Sequence, residues 1–197
     1  MRMTVRIAAC LFAFCLPCGA IAKTPDSGPL PRDSVYQLPL KLTDQDGNLR
    51  EWRSFRGKPR LVSMFYTSCQ YICPLIIDAG KAVERSLTPK QLQHLGIVLI
   101  SMDPARDMAA VLKETAAKRR LDTTRWSLVA PPAAGVREVA AVLGIRFRQL
   151  ADGEFNHTTA LVLLDADGRV LARTEQMGSK SDPEFLDAVR RATDGGP

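Results

Sequence analysis

Two short runs of mostly apolar residues, Leu61-Val62-Ser63-Met64-Phe65-Tyr66 and Gly96 to Met102, constrain the fold of this chain more than anything else in it. Each is bounded by turn signals and lacks the alternation of a half-buried strand, as in strands buried on both faces of a parallel or mixed sheet. Between them Leu75, Ile76, Ala79, Val83 and Leu87 recur at helical spacing, behind Pro74 at a position suited to the first turn of a helix. Strand, helix, strand in that order predicts an α/β domain.

The rest of the chain extends this pattern. Apolar residues spaced for strands run from Tyr36 to Trp52 around the turn dipeptide Asp46-Gly47, so a β-hairpin is predicted there. After the second buried run, Asp107 is placed to cap a helix to about Arg120, Trp126 to Ala130 reads as a strand, and Ala134 to Leu143 as a helix stopped by Gly144. Ile145 to Leu150 reads as a further strand. His157 is expected to open a buried strand through Leu164, which turns at Asp165-Ala166-Asp167-Gly168 into a partner strand over Arg169 to Thr174. Ser181 or Asp182, followed by Pro183, starts a last helix with Phe185, Leu186 and Val189 facing inward.

The ends bound the domain. Arg2 and Arg6 precede an uncharged stretch from Ile7 to Ala22 that closes on Ala20-Ile21-Ala22 and contains Pro17 and Gly19. It is shorter than the about 20 apolar residues of a spanning helix, so residues 1–22 are read as a signal peptide of an exported, periplasmic protein, an uncleaved inner-membrane anchor being the alternative. Phe14 before Cys15 and Pro17 before Cys18 speak against a lipidated cysteine. Residues 23–34, with Pro25, Gly28, Pro29 and Pro31, are read as a flexible tether, and 35–194 as the folded domain. Loss of Arg2 and Arg6 takes the net charge from +6 to +4, and no aromatic residues interleave a basic stripe, so nucleic acid is not an expected partner. A monomer is the default.

Cysteine placement sharpens the functional reading. Cys10, Cys15 and Cys18 leave with the leader, so Cys69 and Cys73 hold every thiol of the mature chain. They lie four residues apart where a buried strand turns into a helix, where backbone N–H groups and the helix dipole favour thiolate, the form that attacks disulfides and binds metals. In a helical turn both sulfurs fall on one face, within reach of one ion or of each other. A purely structural disulfide would close a very short loop and contribute little. Two thiolates suit soft ions such as copper(I) but leave the coordination incomplete. The mature chain offers only two histidines. His94, at the end of a short helical segment, is accounted for by the helix dipole, which leaves His157 as the candidate third donor, a half-buried structural histidine at a strand end being the alternative. A closed zinc site would need four ligands.

Taken together, Thr67-Ser68-Cys69 through Cys73-Pro74, Ser101-Met102-Asp103-Pro104-Ala105-Arg106-Asp107 and His157-Thr158-Thr159 resemble the Sco/SenC family, over nearly all of residues 36–192. The resemblance implies a thioredoxin-like fold with a central mixed sheet flanked by helices. It also implies one copper per chain, as copper(I) or copper(II), on Cys69, Cys73 and His157, and a supporting acidic role for Asp103 beside them. The implied task is to deliver copper to, or keep reduced the thiols of, the binuclear copper site of cytochrome c oxidase, with a subunit of that enzyme as acceptor. Gln70 stands where relatives often carry proline. Two other classes remain open: a thiol-disulfide oxidoreductase in which Cys69 attacks and Cys73 resolves, and a peroxidase in which one cysteine is oxidised and the other resolves it. Three residues between the cysteines rather than two argue against an ordinary thioredoxin-like reductase.

Overall fold

The computed structural model describes residues 28–69 and 71–195. The expected leader, residues 1–22, and Gln70 lie outside the described residues. Among the described residues, nine strands and five α-helices follow in the order β1 (Lys41–Asp44), β2 (Leu49–Glu51), β3 (Arg60–Phe65), α1 (Ile72–Arg85), α2 (Pro89–Gln93), β4 (Gly96–Ser101), α3 (Ala109–Lys118), β5 (Trp126–Ala130), α4 (Gly135–Val142), β6 (Phe147–Gln149), β7 (Phe155–His157), β8 (Leu161–Leu164), β9 (Val170–Thr174) and α5 (Pro183–Asp194).

Seven strands form one sheet in the order β2-β1-β5-β4-β3-β8-β9. β3, β4 and β5 are mutually parallel; β8 joins β3, and β1 joins β5, antiparallel. The sheet is therefore mixed and has the two mostly apolar runs at its centre, where β4 is buried at every residue. A polar side chain survives there only if it is satisfied: Ser63 in β3 donates its hydroxyl to the Ala160 carbonyl at 2.7 Å. Helix α1 packs closely on the sheet because Gly80 has no Cβ to meet the indole of Trp126 in β5. Gly144, at φ +64°, ends the helix before it as expected. Asp182 caps α5 by accepting from the Glu184 and Phe185 N–H groups at 3.0 and 3.4 Å, with Pro183 in the first turn.

Four local expectations differ from the structure. Tyr36 lies in a 3₁₀ turn, Val35–Gln37, and the first hairpin begins only at Lys41. Leu75 is largely exposed, while its neighbour Ile77 is buried. Asp107 does not cap α3; Met108 holds that position without a side-chain bond, and Asp107 is wholly buried elsewhere. His157 does not open β8; it closes β7, in a separate two-stranded sheet with β6, and Thr158, Thr159 and Ala160 intervene. Of the segment read as a tether, the part from Gly28 on lies against the domain, with Arg56 donating to the Gly28 carbonyl at 2.7 Å and Gln37 to those of Leu30 and Pro31. No helix among the described residues is long and apolar enough to cross a membrane.

Candidate metal and redox site

The site begins where β3 runs out. Tyr66, Thr67 and Ser68 carry the chain from the buried sheet to Cys69, and α1 starts three residues later. That helix has no side-chain N-cap, and the Cys69 sulfur takes the place of one, accepting the Cys73 N–H at 3.4 Å. Burial pushes the Cys69 thiol up, but the N–H groups of Cys73, Tyr71 and Ile72 and the Cys73 thiol outweigh it, so the net shift is downward. Cys73 lies one turn deeper, and burial pushes its thiol well up; the Tyr66 N–H at 3.4 Å opposes this, while the negative charge of Cys69 and of Asp107 adds to it. Both cysteines are free and buried. The Cys69 thiol is thus the more acidic of the pair. They open on a cleft of about 150 Å³ whose other wall is the end of α3, with Thr115, Lys118 and Arg119.

The loop is clamped from below. The Asp107 carboxylate receives the Thr67 N–H at 3.2 Å and the hydroxyls of Thr67 and Ser101, each at 2.5 Å. Ser101 in turn accepts the Asp103 N–H at 2.9 Å. Burial raises Asp107 above the usual carboxylate range, although the Ser101 and Thr67 donors oppose the shift. Asp103 itself is buried and pairs with Arg106. Arg106 extends to the Gly153 carbonyl at 2.6 Å and to Glu154 at 4.0 Å, and Glu154 accepts the Tyr66 hydroxyl at 2.9 Å. These contacts tie the β6–β7 hairpin to the cysteine loop.

His157 sits on that hairpin, opposite Phe147 in register. Its ring meets Tyr66 edge-on at 6.1 Å between centroids. Nδ1 lies 3.3 Å from the Thr158 carbonyl, an acceptor only, so Nδ1 carries the proton and Nε2 keeps its lone pair. Burial lowers the pKa against the effect of that carbonyl, which favours the neutral ring. Nε2 is buried and has no hydrogen-bond partner among the described residues. An orphaned imidazole lone pair and two cysteine sulfurs are the donor chemistry a copper ion takes. The structure brings Cys69 and Cys73 together and sets His157 against Tyr66, which touches both sides; among the described residues no three His, Cys, Asp or Glu side chains converge tightly enough to hold an ion. His94 caps the end of α2, away from this cluster. The connecting roles of Tyr66, Arg106, Asp107 and Glu154 escape sequence reasoning; the compact Asp-Pro-Ala-Arg-Asp segment was the one signal that pointed toward two of them.

A mixed sheet whose central strand delivers a dithiol to the first turn of a helix defines a thioredoxin-like protein. The chain belongs to the SCO1/SenC family, whose model matches residues 30–194. The SCO1 protein homolog of Bacillus subtilis is 24% identical over 158 residues, 79% of this chain and 81% of that one. Bradyrhizobium japonicum ScoI, solved with copper bound, superposes with a TM-score of 0.61 at 26% identity, covering 78% of this chain and 97% of its own. BsSco, a member of the Sco family of cytochrome c oxidase assembly proteins in which a disulfide switch was identified, gives a TM-score of 0.61 at 22% identity over 80% of this chain and 92% of its own.

Proposed function

We propose that this protein is a copper-binding assembly factor that holds one copper ion on Cys69, Cys73 and His157. It passes the ion to, or keeps reduced the thiols of, the binuclear copper site of a cytochrome c oxidase subunit. The observation that carries this reading is the unpartnered, buried Nε2 of a neutral His157, linked through Tyr66 to a reduced cysteine pair. Copper bound in the Bradyrhizobium relative supports it, and the oxidase-assembly role of BsSco supports the choice of acceptor. Two thiolates and an imidazole suit copper(I) and also accept copper(II), so the redox state of the pair controls loading. Closing the three donors on one ion requires the β6–β7 hairpin to shift toward the cysteine loop. Residues 1–22 serve as the export leader in this reading, and the protein works as a monomer in the periplasm.

The asymmetry of the two thiols favours a second, compatible reading, a thiol-disulfide oxidoreductase in which the Cys69 thiolate attacks and Cys73 resolves. Anaerobic copper titration of the reduced protein, read as bound metal after desalting, separates the two. One tightly held copper per chain, lost on oxidation of the pair, is expected; no retained copper leaves the oxidoreductase alone. In the same assay His157→Ala keeps its dithiol chemistry but loses most of its copper(II) affinity, and an unchanged copper(II) affinity removes His157 from the site.

A further inference from the structure

Beside the site lies a groove of about 650 Å³ between α4, the loop from β4 to α3, and the β6–β7 hairpin. Met102, Val136, Phe147 and Phe155 give it apolar walls, and Arg137 and Arg148 stand on its rim. A second recess of about 350 Å³ on the same hairpin joins Arg148 and Arg146 to His157. Arg148 in β6 lines both recesses and has Asn156 across from it, and Arg146 lies just before the strand. All three arginines are exposed and make no ion pair among the described residues. The nearby acids are engaged or turned away. Asp103 is bound by Arg106, Glu154 by Tyr66 and Arg106, Asp152 accepts the Glu154 N–H, and Glu138 follows Arg137 directly on α4, so it points in a different direction.

We propose that this groove docks an acidic, apolar-bearing segment of a partner protein and so presents that partner to the adjoining thiol and imidazole. Uncompensated cations beside an apolar floor attract carboxylates from a distance and reward apolar side chains on contact. A nucleic-acid backbone satisfies the arginines but leaves the exposed apolar surface of the half-buried Phe147 and Phe155 uncovered. The inference rests on the proposed function only in taking Cys69 as the reacting thiol; copper has no part in it.

The test uses the reduced full chain and two synthetic peptides. Each carries one cysteine as a mixed disulfide with thionitrobenzoate, flanked by leucines and glutamates in one peptide and by leucines and glutamines in the other. The Cys69 thiolate attacks the peptide sulfur, a Cys69–peptide disulfide forms, and thionitrobenzoate leaves with the bonding electron pair. Cys73 then gives up its proton and attacks the Cys69 sulfur, a Cys69–Cys73 disulfide forms as the Cys69–peptide bond breaks, and the peptide leaves as a protonated thiol. At low ionic strength the glutamate peptide is expected to release thionitrobenzoate about tenfold faster than the glutamine peptide. The preference shrinks as salt shortens the screening length from about 30 Å at 0.01 M to about 8 Å at 0.15 M. Arg137→Glu with Arg148→Glu abolishes the preference and leaves the glutamine-peptide rate unchanged, which also shows that the variant is folded; Arg137→Gln with Arg148→Gln reduces it in the same direction. Equal rates on the wild type, or a preference that survives both pairs of substitutions, overturns the docking site. A chain that binds no copper yet keeps the preference overturns the copper reading and leaves the groove standing.

Discussion

The cysteine pair and the histidine are held by parts of the molecule built on different principles. Cys69 and Cys73 hang from β3, which is hydrogen-bonded on both sides within the seven-stranded sheet, and from α1, whose Ile76, Ile77 and Val83 are buried in the core. His157 hangs from a hairpin of three residue pairs that shares no ladder with that sheet. Rings hold it in place, Phe155 against Tyr66 at 5.1 Å and against Phe147 at 6.2 Å, together with the Tyr66–Glu154 bond and the contacts of Arg106. Short, weakly paired elements open at lower free energy than core strands. Under the copper reading proposed above, a rigid pair of sulfurs with His157 on a separable element lets one motion make or break the binding set, without disturbing the core.

The sharpest way to test the rigidity of the cysteine side is to remove its clamp. Asp107→Ala leaves the Thr67 N–H, the half-buried Thr67 hydroxyl and the buried Ser101 hydroxyl without this acceptor, and a loss of about 2–4 kcal/mol in urea unfolding is expected. A loss under about 1 kcal/mol would show that the loop does not depend on this carboxylate. Asp107→Asn adds a signed test. Burial raises the folded pKa above the ordinary 3.8, so as pH climbs from there the unfolded chain gives up this proton first and Asp107 increasingly opposes folding, until it ionises in the folded state too. The stability of wild type relative to Asp107→Asn is therefore expected to fall as pH rises above 3.8; a difference that stays flat or grows with pH contradicts it.

A smaller effect lies within the rigid side itself. Cys69 is held toward thiolate by helix N–H groups, and Cys73 is held as thiol by burial, so iodoacetamide at neutral pH should modify Cys69 faster by more than about tenfold, read by peptide mapping of the reduced protein. Equal rates would mean that the two sulfurs are interchangeable and that no attacking thiol is preselected.

How far all this is legible in the sequence differs between the same two regions. The central strands, the start of α1 behind the cysteines and the Asp182-Pro183 cap follow from local chemistry, because burial on both faces and capping leave direct marks on residue choice. The hairpin does not. Thr158 to Leu164 reads as one β-branched and apolar run, yet the Thr158 N–H donates to the Arg146 carbonyl across the β6–β7 hairpin while the Ala160 carbonyl accepts from Ser63 of β3, so tertiary bonds divide the run between two sheets, β7 closing at His157 and β8 starting at Leu161. Asp107 misleads for a related reason. An aspartate just before a helix satisfies a local capping rule, but three donors from two other segments compete for its carboxylate and win. At Leu75-Ile76-Ile77 three consecutive apolar residues cover more than one helix face, and periodicity alone cannot choose which is exposed.

The weakest perturbation addresses the separable side. Arg106 reaches from Asp103 to the Gly153 carbonyl and Glu154, bridging the hairpin to the loop after β4, and its side chain is partly exposed. Exposed ion pairs contribute little to global stability, so Arg106→Ala is expected to change the unfolding free energy by less than about 1 kcal/mol. Its effect should be local instead. With one of its few polar anchors gone, the hairpin opens more often, and amide exchange across Phe147 to Gln149 and Phe155 to His157 should accelerate, while exchange in β3 and β4 stays at the global rate. Equal acceleration in hairpin and core would merge the two regions into one cooperative unit, and His157 would then be as fixed as the sulfurs.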